Sequence, residues 1–215
     1  MSGNNINLVI INYGMGNLQS VLNAAEYVGG CNPLITDDPG EIRNANGFIL
    51  PGVGAFKDAM KELKKRKLID LLHDAVLVKK KPILGICLGM QLLFKESEEN
   101  GIHKGLGWLD GTVKKFDIPL KYRIPHIGWN DININRDTPL LNHIESDKNF
   151  YFVHSFHAVT DEQNVIAKCH YGINFTAVVS KGNIYGTQFH PERSHIDGLS
   201  ILNNYFNIIR ASGIA

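Results

Sequence analysis

The stretch Pro82-Ile83-Leu84-Gly85-Ile86-Cys87-Leu88-Gly89-Met90-Gln91-Leu92-Leu93-Phe94 constrains this chain more than any other. It opens as an apolar run with the character of a buried strand and closes with helical periodicity through Phe94. Cys87 stands where the period changes. Gly85 and Gly89 frame the cysteine as Gly-x-Cys-x-Gly, the thiol counterpart of the Gly-x-Ser-x-Gly nucleophile elbow. A strand that turns abruptly into a helix strains the corner residue and leaves no room for nearby Cβ atoms, hence the two glycines. The pattern predicts a thiol projecting clear of a sheet, at a helix N-terminus whose free N–H groups favour a thiolate. A buried cysteine in a purely structural turn satisfies the same pattern, because free Cys is among the most buried residue types.

The chain before this corner alternates strands and helices. Ile6 to Ile11 is apolar except for Asn7, as in a parallel strand buried on both faces. Leu18, Val21, Leu22, Ala25 and Val28 then recur at helical spacing, and Gly29-Gly30 ends the helix. Gly14-x-Gly16 between them lacks the third glycine of a dinucleotide-binding turn and reads as a structural turn. Short strands follow at 33–36 and 47–50. The second runs into Pro51-Gly52-Val53-Gly54, where glycines around one residue let backbone N–H groups approach a ligand or reorient. A tight strand-to-helix connection is the alternative. Residues 56–80 read as two helices, and their lysine runs as solvated faces. The alternation predicts an α/β fold with a central, mainly parallel sheet flanked by helices.

After residue 95 the character changes. Strands are expected at 111–116, 130–135, 149–160, 165–169, 175–180 and 183–189, joined by short polar turns, as an antiparallel extension on the edge of the parallel sheet. A final helix over 197–210 places Leu199, Leu202, Tyr205, Phe206 and Ile209 on one face. The last strand ends in Gln188-Phe189-His190-Pro191-Glu192. In extended chain residues two apart point the same way, so His190 and Glu192 share a face. A histidine backed by a carboxylate is the general-base half of a catalytic triad. By itself the tripeptide also fits an ordinary surface turn.

A core that size needs no staples: 215 residues, 44% hydrophobic and 20% charged, suit one domain over 1–215 that buries roughly 70% of its extended-chain surface. The net charge of +1 points to no nucleic-acid or membrane partner. Cys31, Cys87 and Cys169 are too few and too scattered for a disulfide framework or a zinc site, so no metal is expected. With no leader-like start and no apolar run near ~20 residues, a cytoplasmic enzyme with reduced thiols is the expectation.

Three motifs taken together carry a resemblance. Pro51-Gly52-Val53-Gly54, Gly85-Ile86-Cys87-Leu88-Gly89-Met90-Gln91 and Gln188-Phe189-His190-Pro191-Glu192 resemble the triad-type (class I) glutamine amidotransferases. Within them, Asn12-Tyr13-Gly14-Met15-Gly16-Asn17-Leu18, Pro125-His126-Ile127-Gly128-Trp129-Asn130 and Tyr151-Phe152-Val153-His154-Ser155 resemble the glutaminase subunits of imidazole glycerol phosphate synthases, over the whole chain. The resemblance implies that Cys87 attacks the side-chain amide of L-glutamine, with His190 as acid and base and Glu192 behind it. Val53 and Leu88 would supply oxyanion N–H groups. Gly52, Gln91, Glu99, His154, Ser155 and Phe156 would hold glutamine, without a cofactor. Ammonia would pass to a (β/α)8 cyclase/synthase subunit in a heterodimer, met through Asn12, Trp129 and Arg193, for histidine biosynthesis. Phe156 stands where this group often has Tyr, and Arg193 where many have Lys. These departures leave room for a paralogue serving another synthase, such as one aminating a surface-polysaccharide sugar. A cysteine peptidase or amidase, and an inactive scaffold, are the readings from other classes; Gln91 and the intact Cys87, His190 and Glu192 weigh against them.

Overall fold

The apolar β1 (Ile6–Ile11) lies inside a sheet, parallel to β2 (Cys31–Thr36) on one side and to β3 (Gly47–Gly52) on the other. The computed structural model describes residues 6–213. Alternate residues of β1 serve different cores: Ile6, Leu8 and Ile10 pack on one face, Val9 and Ile11 on the other. Helix α1 (Leu18–Val28) begins at Asn17, whose side chain accepts the Ser20 N–H, and stops at Gly29 with φ 75°. It buries Val21, Ala24 and Ala25 on the first face. Helix α2 (Pro39–Asn44) has no counterpart in the sequence reading. Asp38 caps it by accepting from Gly40 and Glu41, with Pro39 in the first turn.

The second face is covered by α3 (Phe56–Lys65) and α4 (Leu68–His73), which bury Phe56, Ala59, Leu63, Leu68 and Leu72. A π-helical turn, Asp74–Val78, extends α4. The buried β4 (Ile83–Cys87) pairs parallel to β3 and leads into α5 (Leu88–Leu92). Here the expected helix through Phe94 is corrected, because α5 has only five residues. The chain becomes β5 (Phe94–Ser97). Tertiary pairing overrides the helical period: the Leu92 and Leu93 carbonyls accept N–H groups of Leu106, Trp108 and Leu109 instead of continuing a helix.

The remaining strands are β6 (His103–Lys104), β7 (Leu109–Lys115), β8 (His126–Asp131), β9 (Asn133–Ile134), β10 (Asn149–His154), β11 (Phe156–Val159), β12 (Val165–Tyr171), β13 (Ile173–Lys181) and β14 (Ile184–Thr187). The main sheet has eight strands in the order β2-β1-β3-β4-β14-β13-β12-β9, parallel through β14 and antiparallel beyond it. The antiparallel extension is therefore present at this edge. The other late strands do not join it: β11-β7-β5-β6 form a four-stranded sheet and β10-β8 a two-stranded one. The expected strand over 149–160 breaks at Ser155, which separates β10 from β11 and sends them to different sheets. The long α6 (His195–Ala211) buries Ile201, Leu202, Tyr205, Phe206 and Ile209 on the face shared with α1. Among the described residues, no helix is long and apolar enough to cross a membrane.

Candidate active site

Cys87 has φ 53° and ψ −110°, outside both helical and strand regions. Holding a non-glycine residue there costs on the order of 1–3 kcal/mol. Its neighbours explain how the corner is enforced. A Cβ on Gly89 would lie 1.7 Å from the Leu50 carbonyl oxygen, and one on Gly85 would lie 2.7 Å from the Met90 backbone. The first turn of α5 is thus pressed onto β3, and only glycine allows the approach.

The Cys87 side chain is 6% exposed and lines a cleft of about 310 Å³. Its thiol donates to the Val153 carbonyl at 3.8 Å and accepts from the Gln188 amide at 3.7 Å. Val53, Leu88, Gln91 and Glu99 line the same cleft, as does the His154–Ser155–Phe156 segment. Gly52, the residue paired with Cys87 across β3 and β4, adjoins it.

His190 Nδ1 lies 2.8 Å from Glu192 Oε1, and both side chains are buried. The route to this contact differs from the expected extended segment. Pro191–Arg193 is a 3₁₀ turn, and it is the turn that folds the carboxylate back onto the ring. Ser194 Oγ donates to the His190 carbonyl at 2.6 Å and accepts the Tyr151 N–H at 3.0 Å, while the His190 N–H donates to the Tyr151 carbonyl at 2.9 Å. The turn is pinned to β10. An ionised Glu192 only accepts, so Nδ1 carries the proton. The buried Nε2 is left without a hydrogen-bond partner, as is Glu192 Oε2. Burial by itself would lower the His190 pKa. The negative charge that Cys87 carries when ionised, and after it Glu192, outweigh burial and raise it.

Gln91 Nε2 donates to the Phe156 carbonyl at 2.9 Å and to Gln188 Oε1 at 3.0 Å, so both amide hydrogens are committed within the protein. Its carbonyl oxygen is what remains for a ligand. Glu99 Oε2 accepts the Phe56 N–H at 2.7 Å, capping α3, whose own N-cap Ala55 has no side chain to do so. On the far side of the loop, Tyr13 donates its hydroxyl to the Pro51 carbonyl at 2.8 Å, and the hydroxyl would lie 2.4 Å from any Cβ on Gly52. Gly54 sits at φ 103° with Met15 beside it, and Val53 is 44% exposed.

The three residues expected at a partner surface are placed apart from the cleft floor. Trp129 is 46% exposed, stacks on His195 at 4.6 Å and meets the Tyr151 edge at 6.0 Å. The Arg193 guanidinium covers the Tyr151 ring at 4.4 Å. Asn12, in the turn after β1, accepts the Gly14 N–H at 3.2 Å. Sequence reasoning missed Tyr13, Gln188 and Ser194 as parts of this site. Gln188 opens the His190 motif and Ser194 follows it, yet nothing in their spacing gives their direction. Among the described residues, no group of three or more His, Cys, Asp or Glu is arranged to hold a metal ion.

The chain matches the family model for class-I glutamine amidotransferases over residues 9–208. It is 46% identical to the imidazole glycerol phosphate synthase subunit HisH 2 of Vibrio vulnificus (strain YJ016), covering 94% of this chain and 95% of that protein. It is 50% identical to the imidazole glycerol phosphate synthase subunit HisH of Geobacillus sp. (strain WCH70), covering 95% of this chain and 98% of the relative. In shape it resembles the structure of PurLQS from Thermotoga maritima, with a TM-score of 0.73 at 24% identity over 94% of this chain and 97% of the other. A strained cysteine at the end of a parallel strand, a His-Glu pair on a neighbouring element and full-length likeness to these relatives agree: the chain belongs to the class-I glutamine amidotransferase family, among the HisH subunits of imidazole glycerol phosphate synthase.

Proposed function

We propose that the protein hydrolyses L-glutamine at Cys87 and delivers the ammonia to a (β/α)8 synthase subunit that makes imidazole glycerol phosphate and the aminoimidazole carboxamide ribotide of histidine biosynthesis. The observation that carries this reading is a cleft lined by Cys87 and Gln91, with the His190–Glu192 pair near enough to Cys87 to interact with its charge. Cys87 attacks the amide carbon, and N–H groups of Leu88 and Val53 meet the oxyanion. His190 protonates the leaving ammonia and then activates water to release glutamate from the thioester, while Glu192 holds its tautomer. Gly52, Gln91, Glu99 and the His154–Ser155–Phe156 segment hold the glutamine. No cofactor enters these steps.

Trp129 and Arg193, gathered around Tyr151, form with Asn12 the face that meets the synthase in a cytoplasmic heterodimer. The relatives' name, imidazole glycerol phosphate synthase subunit, supports that acceptor over a surface-polysaccharide sugar. The whole chain acts as a single domain. The deciding experiment replaces Cys87 with Ala in the purified complex. Glutamine-dependent synthesis should be abolished and ammonia-dependent synthesis retained, because the thiol serves only ammonia production. Glutamine-dependent turnover by Cys87→Ala would overturn the nucleophile assignment.

A further inference from the structure

His126 opens β8 directly opposite His154 at the end of β10, and both imidazoles are buried, at 2% and 6% exposure. His126 Nδ1 lies 3.1 Å from His154 Nε2, and His154 Nδ1 lies 2.9 Å from the Phe156 carbonyl. Asn130 Nδ2 reaches His126 Nε2 at 3.4 Å. The direction of every link follows from one fact: a carbonyl only accepts. His154 Nδ1 must therefore donate to Phe156. Burial pushes the His154 pKa down to about 3 and the His126 pKa down to about 4, so both rings are neutral and carry one proton each. His154 Nε2 is then an acceptor, and His126 Nδ1 has to be its donor. His126 Nε2, in turn, accepts from Asn130. The Asn130 amide is oriented independently, since Nδ2 also donates to the His170 carbonyl at 3.0 Å and Oδ1 accepts the Asp131 N–H at 3.0 Å.

The chain does not end at Phe156. Its carbonyl is shared with Gln91 Nε2, Gln91 also binds Gln188 Oε1, and the Gln188 amide donates to Cys87 Sγ. One set of directed hydrogen bonds thus joins Asn130 in β8 to the nucleophile. Along it lie Phe156 and Gln91, two walls of the cleft. His126 stacks on Tyr171 at 4.1 Å and Phe152 at 5.0 Å, which holds its ring plane.

We propose that His126 is a positioning residue of the glutamine site: its Nδ1–H fixes the His154 tautomer, and His154 in turn fixes the Phe156 carbonyl and the Gln91 amide against the substrate. This rests on the reading of the cleft as a glutamine site. Without the His126 donor, His154 can take the other tautomer, and the Phe156 carbonyl loses one of its two donors. The wall between Gln91 and the His154–Phe156 segment then loosens, while Cys87, His190 and Glu192 keep their own supports.

The test uses two variants in the complete complex. His126→Phe keeps an aromatic ring and removes the donor. His126→Asn places an amide N–H near the position of Nδ1. The KM for glutamine should rise roughly five- to tenfold in His126→Phe, the worth of about one neutral buried hydrogen bond, with kcat falling less than KM rises. His126→Asn should recover most of that loss. ¹⁵N NMR of the wild-type protein should show His154 as the Nδ1–H tautomer. An unchanged KM in His126→Phe, no recovery in His126→Asn, or an Nε2–H tautomer at His154 would each overturn the proposal. A wild-type complex that hydrolyses no glutamine would overturn the assignment of the cleft, and the role of His126 with it. The tautomer measurement still decides the hydrogen-bond chain itself.

Discussion

At the scale of single residues, the His190–Glu192 pair sets the chemistry that Cys87 can do. A buried imidazole with a carboxylate on Nδ1 and an unpartnered Nε2 is built to hold and release one proton. His190→Ala should therefore cost glutaminase activity about 10²–10⁴-fold. Glu192→Gln should cost less, because an orienting carboxylate usually matters less than the base it orients. Steady-state glutamine hydrolysis by the two folded complexes checks the order, and a larger loss for Glu192→Gln would reverse the roles. The sequence made these residues visible because their types are chemically rare together. It did not show how they meet. The pair was expected along an extended strand, yet Pro191 opens a 3₁₀ turn anchored by Ser194, and the turn brings the groups together. Gln188 was invisible for another reason: a buried amide between two site residues acquires its role only from partners about a hundred positions away, Gln91 and Cys87.

At the scale of elements, much of the parallel half was legible because β1, β3 and β4 are apolar runs and α1 and α3 carry buried stripes, whereas the single turn and a half of α2, with only Ile42 buried, offered no stripe to read. The corner at Cys87 was legible for a steric reason that can be tested separately from function. Gly89→Ala puts a methyl group 1.7 Å from the Leu50 oxygen, so β3 and α5 must separate. It should destabilise the protein by more than about 3 kcal/mol, at the high end for point substitutions. Gly182 in the β13–β14 hairpin is the control: it has φ 61°, but an added Cβ meets nothing within 4 Å. Gly182→Ala should cost only the ~1–2 kcal/mol of a left-handed alanine. Urea denaturation of both variants checks the ranking, and similar losses would mean that the close approach of α5 to β3 is unimportant. The short α5 and the strand after it were not legible. Leu92, Leu93 and Phe94 fit a helical stripe equally well, and the carbonyls that would extend the helix are taken by the segment around Trp108.

At the scale of the whole molecule, alternating polarity identified most late strands but not their partners. Register and pairing depend on which apolar face finds which core. The result is three sheets rather than one extended edge, and a histidine-rich aromatic cluster joins rings from all three. Phe116 stacks on His157 at 4.9 Å and packs against His154 at 5.1 Å, and His126 lies among Phe152, Tyr171 and Phe175. Burial lowers the pKa of all three histidines, to about 3 for His154. In the unfolded chain each would titrate near 6.5. As the pH falls below about 6.5 the unfolded state takes up protons that the folded state refuses, so stability must fall. His190 offsets only part of this loss: its raised pKa keeps it protonated in the folded state throughout the window, while the unfolded chain gains that proton only as the pH falls through about 6.5, a gain smaller than the combined losses at His126 and His154. For a group as buried as His154 the loss between pH 7 and pH 5 reaches about 2 kcal/mol. The urea midpoint should therefore drop on acidification from pH 7 to pH 5. His154→Asn, which cannot take up a proton, should show a shallower drop. A midpoint that stays level or rises at pH 5 in the wild-type protein would mean that these histidines bind protons in the folded state, and the neutral His126–His154 pair would not survive that result.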